Sequence, residues 1–244
     1  MKKLFISLAI ILVFPLSFMA QEAESSVELD LGTDIVSSYV WRGLSFSSGL
    51  NLQPWLNLSA GGFSVGAWGS FSTTGDFLEP DFYLSYAAGS FAATLTDFHG
   101  NSGADFFNYK SDETSHVGEL MLQYKGTETF PLTVTASALV YGDDKKILEY
   151  IDGEPVLGED NNYSMYFELA YTHATKNDIT LDFFAGCVAN ESYFYGTDGF
   201  ALINLGLKAS KEIKITDNFS LPINFSLITN PDSKNVFYVI GIKL

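Results

Sequence analysis

The side chains that could do chemistry are few in kind and uneven in number. Three histidines, His99, His116 and His173, one cysteine, Cys187, and one arginine, Arg42, stand against 29 Asp plus Glu. Nucleophilic catalysis needs a Ser or Cys within reach of a base that a third group orients. Cys187 falls on the apolar parity of its segment and reads as a packing or lipid-facing residue, not a nucleophile. His99 and His116 flank one polar connection, with Asp97 and Ser115 near them, but no nucleophile motif surrounds the set, and His173 belongs to the opposite end of the chain's segments. No enzyme is expected. A lone cysteine offers neither a disulfide framework nor a thiol cluster. The acidic run Asp143, Asp144, Glu149, Asp152, Glu154, Glu159 and Asp160 lacks the spacing of a calcium loop and reads as a solvated charge run. Neither metal nor cofactor is expected. Two features remain. Arg42, beside Trp41, carries a guanidinium fork suited to a carboxylate or an anionic ligand; as a structural pin it would pair with Asp34 or Asp81. The second is a set of carboxylates on one parity of alternating segments, Glu28, Asp30, Asp34, Asp81, Glu119, Glu168 and Asp182, against Lys208 and Lys243.

The elements that must position these groups have a period of two. Val27, Leu29, Leu31 and Ile35 alternate with Glu28, Asp30 and Asp34, and Leu50, Leu52, Leu56 and Leu58 with Asn51, Gln53, Trp55 and Asn57. Such alternation predicts half-buried strands. It recurs over 63–71, 82–86, 91–95, 120–124, 132–140, 165–171, 179–187, 203–207, 219–227 and 238–244, giving about twelve strands. Many match the roughly 9 to 11 residues of a membrane-spanning β-strand. Pro54 and Pro222 interrupt two of the patterns and predict a bulge or a shortened strand. Ala92, Ala93 and Asp97 weaken the fifth strand, where register could slip.

Connections alternate in length. Long segments at 41–49, 72–79, 99–114, 142–162, 190–199 and 229–235 follow the odd strands, and short links at 60–62, 88–90, 125–131, 172–177 and 216–218 follow the even ones. Several short links carry the Gly, Asn and Asp that tight hairpins need for positive φ. One rim of the sheet then carries loops, the other turns and both termini. The fold class predicted is an all-β, antiparallel, up-and-down transmembrane barrel in one domain, residues 21–244.

Composition agrees. Charged residues make up 17% of the chain and aromatics 15%, and the polar parity is Ser, Asn, Gln, Tyr, Gly and Thr instead of the Lys and Glu of a water-facing surface. Tyr39, Trp41, Phe63, Phe71, Tyr124, Tyr141, Tyr171 and Phe219 recur toward strand ends, where rings with a polar edge suit the headgroup layer. Residues 1–20 open with Lys2 and Lys3, continue in an apolar run and end at Ala20, the layout of a secretory signal. Without those two lysines the net charge falls from −16 to −18. Such acidity argues against a nucleic-acid partner.

The segments Ser38-Tyr39-Val40-Trp41-Arg42-Gly43, Ser48-Gly49, Gln53-Pro54 and Gly62-Phe63 resemble the opening of the TorF porin family, a conserved hypothetical family of Gram-negative outer membranes. The run from Glu79-Pro80-Asp81 to Tyr86, the stretch from Ile215-Thr216-Asp217 to Leu221-Pro222, Asn230-Pro231 and the closing Gly241-Ile242-Lys243-Leu244 fit the same family. The likeness is strongest over 34–86 and 213–244. It implies an outer-membrane place, contact with lipid and with the insertion machinery, and a porin's shape, with a trimer among the assemblies open to it. The terminal residue, Leu244, stands where such barrels often end in Phe. On this reading the carboxylates and Lys208 line a lumen, with Trp41 and Arg42 at its rim. Carboxylate-rich lumens concentrate cations and repel anions, so the expected function is passive passage of small hydrophilic solutes or ions with cation preference. The alternative is a non-conducting barrel that acts through its extracellular loops.

Overall fold

The computed structural model describes residues 27–100, 103–111 and 113–244, so the expected signal segment lies outside the described residues. Eighteen strands follow one another: β1 (Glu28–Val36), β2 (Tyr39–Trp41), β3 (Leu44–Ser47), β4 (Asn51–Ala60), β5 (Phe63–Ser72), β6 (Leu78–Ala88), β7 (Phe91–Phe98), β8 (Val117–Tyr124), β9 (Leu132–Gly142), β10 (Lys145–Ile151), β11 (Glu154–Asn161), β12 (Met165–Ala174), β13 (Thr180–Val188), β14 (Glu191–Ser192), β15 (Thr197–Asp198), β16 (Ala201–Thr216), β17 (Phe219–Asn230) and β18 (Asn235–Lys243). Twelve of them close into one antiparallel barrel, each paired with its sequence neighbour in the wall and β1 closing onto β18. These are the twelve alternating segments of the sequence. The other six form three hairpins, β2–β3, β10–β11 and β14–β15, within the long connections.

Alternation sets the two faces. Leu29, Leu31, Leu56, Leu58, Val65, Phe82, Leu84, Leu95, Leu122, Leu169, Phe225 and Ile240 stand exposed on the outside, while Asn51, Gln53, Ser70, Glu79, Asp81, Glu119, Ser137 and Asn204 are buried within. A wall apolar outside and polar inside inverts the soluble pattern and is compatible with an outer-membrane barrel, whose closure leaves no unpaired edge. Phe63, Phe71, Phe91, Tyr171 and Phe219 are exposed near strand ends, as a headgroup belt requires.

The prolines act differently from the expectation. At Pro54 the β4–β5 ladder loses its pairs opposite Gly69 and Ser70, yet the register resumes unshifted at Trp55↔Trp68, and no bulge forms. Its other neighbour, Thr33, stays in step. Pro222 pairs with Glu212 on β16, while β17 meets β18 only from Ile223 onward. The strand outruns its partner there, so a missing N–H costs nothing. The fifth wall strand, β7, keeps unbroken register with both neighbours. The wall's register shifts fall opposite Gly118/Glu119, where β9 carries the extra residue Val140, opposite Gly186/Cys187, where β16 carries the extra residue Ile203, and at Lys214/Thr216 in β16, across from Phe219-Ser220 and close to Pro222.

Candidate lumen site

The β2–β3 hairpin does not stand at the rim as a loop. Its two-residue turn, Arg42-Gly43, has φ of 50° and 75°, the doubly positive geometry of the tight hairpin turn, and its tip crosses the mouth of the barrel. One side of the tip reaches β8, four strands round the wall from β4; the other reaches β16, three strands round from β1. Arg42 Nη1 lies 2.5 Å from Glu119 Oε1 and Nη2 lies 3.1 Å from Oε2, a bidentate pair whose side chains are 10% and 3% exposed. Nη1 also donates to the Tyr195 hydroxyl at 2.7 Å. Above and below the guanidinium lie the rings of Trp41 and Tyr166, at 4.2 and 4.3 Å. On the far side, Asn230 Nδ2 donates to the Gly43 carbonyl at 3.2 Å, and a Cβ on Gly43 would collide with the carbonyl of Ile203. Only glycine fits this close approach.

Packing around the tip makes the molecule's main apolar core. Val117, Leu139, Tyr166, Val188, Tyr195, Ala201 and Ile203 are buried together, with Trp41, Leu44, Phe98 and Phe194 against them. Trp41 stacks on Tyr195 at 6.0 Å and meets Phe98 edge-on at 5.5 Å. Tyr39 donates to Glu79 at 2.8 Å and packs against Phe46, Trp68 and Phe77. Trp41 and Tyr39 are therefore plug residues inside the lumen, not members of a headgroup belt, and Arg42 pairs across the barrel with Glu119 instead of with Asp34 or Asp81. Between plug and wall remain cavities of about 240 and 220 Å³, the larger lined by Tyr39, Trp41, Phe46, Glu79, Ser115 and Phe194 among others.

Glu79, Glu119, Glu168, Asp81 and Asp144 of this loop-rim half are engaged. Glu168 accepts from the Tyr166 hydroxyl and, at 2.8 Å, from Asn204 Nδ2. Asp81 accepts from the His99 backbone N–H at 3.3 Å. At the rim, buried Asp144 takes the Ser164 hydroxyl at 2.6 Å and its N–H at 2.8 Å. Burial pushes the Asp144 carboxyl above the usual range, and the Ser164 hydrogen bonds hold it back in part.

The turn-rim half differs. Asp30, Asp34, Trp55, Asn57, Ser64, Trp68, Tyr83, Ser85, Thr94 and Lys243 line one cavity of about 530 Å³. Tyr83 donates to Asn57 Oδ1 at 3.2 Å. The Trp55 ring packs close to Gly32, where a Cβ would meet the indole at 2.7 Å. Glu28 begins β1 at this end on the same parity. Asp182, across the lumen, accepts from the Thr172 hydroxyl at 2.6 Å, and Lys208 lies opposite it in register on β16. The expected lining residues thus share one face but divide into two groups: Asp81, Glu119 and Glu168 with the plug, and Glu28, Asp30, Asp34, Asp182 and Lys208 in the open half.

The histidine set does assemble, outside the lumen. At the ends of β7 and β8, Ser115 Oγ and His99 Nε2 are 3.0 Å apart and His116 Nδ1 and Asp97 Oδ1 are 2.9 Å apart. The two imidazoles lie 4.5 Å apart, under Phe106 and Tyr109. The hydroxyl and the carboxylate hold different histidines, and His99 Nδ1 is buried without a partner. No relay of serine, base and orienting acid results. Burial pulls the His99 imidazole below its ordinary value, with His116 adding to the effect.

Sequence reasoning missed Tyr166, Tyr195 and Asn204 as lumen residues. A signal for the plug exists in retrospect: Arg42-Gly43 between the alternating runs Tyr39-Val40-Trp41 and Leu44-Ser45-Phe46 is a short hairpin set inside a loop. No family model, no curated protein and no solved structure matches the chain, so its reading rests on its own residues.

Proposed function

We propose that the chain is an outer-membrane channel for small hydrophilic solutes or ions, with the β2–β3 hairpin as its constriction and a cation-preferring lumen. The observation that carries this reading is a closed barrel, apolar outside, with a cavity inside lined by the carboxylates of Asp30 and Asp34. Such carboxylates raise local cation concentration. The likeness to the TorF porin family and the secretory layout of residues 1–20 support an outer-membrane place, reached through the insertion machinery. Solutes pass by diffusion past Trp41, and the Arg42–Glu119 pair sets how far the hairpin closes the bore.

Recording single-channel currents from the refolded chain in planar bilayers under a salt gradient tests the reading. Stepwise conductance with a cation-selective reversal potential is expected. The double change Asp30→Asn and Asp34→Asn should reduce that preference, and Arg42→Ala with Glu119→Ala should raise conductance. The cross-lumen plug favours a second reading, a non-conducting barrel acting through its loops. A heat-modifiable barrel that stays silent even without the Arg42–Glu119 pair would establish that reading and overturn the first.

A further inference from the structure

The cavity at the turn rim contains charges that the fold leaves unspent. Among the described residues, the carboxylates of Asp30 and Asp34 and the ammonium of Lys243 carry no side-chain hydrogen bond and no ion pair, although Asp34 and Lys243 face each other in register across β1 and β18. Lys243 instead places Nζ 4.7 Å from the centroid of the Trp55 ring. The same indole packs close against Gly32, where a Cβ would meet its Cζ2 at 2.7 Å. The chain's own alkylammonium thus occupies the π-face of an indole beside two free carboxylates. Trp68, the cross-strand partner of Trp55, adds a second aromatic surface in the same cavity, with Tyr83 and Asn57 beside it. An indole face, a flanking carboxylate and room for a small molecule are what an organic cation needs. The cavity's volume of about 530 Å³ falls in the range of small-molecule sites.

We infer that this vestibule binds small organic ammonium cations, with Trp55 and Trp68 as the aromatic surface, Asp30 and Asp34 as counter-charges, and Lys243 as an internal competitor that a ligand displaces. Asp30 and Asp34 stand four residues apart on one face of β1, roughly 13 Å along the strand, on either side of Gly32, whose cross-strand partner is Trp55. The inference rests on the channel reading only in naming the solute class that the lumen favours, since binding at equilibrium is measured whether or not the barrel conducts.

The test is calorimetric titration of the full chain, refolded in detergent, with n-butylammonium, which copies the Lys243 side-chain end, and with tetramethylammonium. n-Butanol, glycine and glucose serve as neutral, zwitterionic and saccharide probes. Both cations should bind more tightly than all three controls. Asp34→Asn and Asp30→Asn should each weaken cation binding by about tenfold, one unit of charge-assisted contact. Lys243→Met should tighten it about threefold, a gain that loss of a purely structural lysine does not give. Each variant is first checked for the heat-modifiable migration of a folded barrel, and the two aspartate variants stand in for one another. Absence of cation binding, tighter binding of glucose or glycine, aspartate variants that bind like the parent, or a Lys243→Met barrel that binds no better each overturns the inference. Cation binding by an electrically silent barrel leaves it standing and overturns the channel reading alone.

Discussion

The two halves of the lumen use the same residue types in opposite ways. Toward the loop rim, Glu119, Glu79 and Glu168 are spent on Arg42, Tyr39 and the Tyr166–Asn204 pair, and aromatic rings fill the space between. Toward the turn rim, Asp30 and Asp34 face a cavity with no side-chain hydrogen bond or ion pair among the described residues, and Lys243 meets the Trp55 ring. A buried charge must be paired or it costs several kcal/mol, so a filled half can keep carboxylates only by supplying donors. A water-filled half has no such demand. In the proposed channel these are the charges that meet solutes. Stability and function are thereby separated along the barrel axis.

Breaking the filled half should cost most. Glu119→Leu leaves Arg42 buried without a counter-charge, and about 3–5 kcal/mol of stability should be lost in equilibrium denaturation of the refolded barrel. Combining it with Arg42→Leu should restore most of that loss, because the desolvation cost leaves with the charge; a double variant as weak as the single one would show that packing, not the charge pair, holds the hairpin. A smaller effect follows at Gly43. With φ of 75° and the Ile203 carbonyl against it, Gly43→Ala should cost roughly 1–3 kcal/mol and open the hairpin to protease while the wall stays folded.

The rim gives a third, milder test, by pH. The His99 pKa is depressed by burial, so the fold holds the neutral imidazole. Its contribution is present above the unfolded value of about 6.5 and is lost as pH falls through the lower folded value. The protection factors of amides in residues 103–111 and 113–116, corrected for the slower intrinsic exchange at lower pH, should therefore fall on acidification from neutral pH, and His99→Gln should flatten that dependence. The open half should respond least. Asp34→Asn removes a charge with no partner, and the denaturation midpoint should shift by less than about 0.5 kcal/mol, while cation preference falls. A large stability loss there would erase the distinction between the halves.

Local sequence carried the wall a long way. Period-two alternation over segments such as 27–35 and 219–227, punctuated by Gly-, Asn- and Asp-bearing links, named the twelve strands, their inward faces and the loop-bearing rim, because side-chain direction in a strand depends only on parity. Closure follows from the same pattern, since a sheet apolar outside has no stable free edge in lipid. Parity also placed Glu119 and Asp34 on one lumen face, yet it could not tell that the first is sealed under a hairpin and the second is open. Nor could it distinguish Trp41, a plug residue, from Phe63 or Phe219, which face outward.

What only the tertiary structure decided is where the one arginine goes. Its partners lie 77 and 153 residues away, on β8 and in the β14–β15 hairpin. Such contacts depend on barrel circumference and on the reach of the fourteen-residue connection 37–50 between β1 and β4, quantities that emerge after closure and leave no period in the chain. The Arg42-Gly43 turn determined that a hairpin forms; the closed wall determined that it lies inside the barrel, and so which carboxylates are paired by the fold and which are left unpaired.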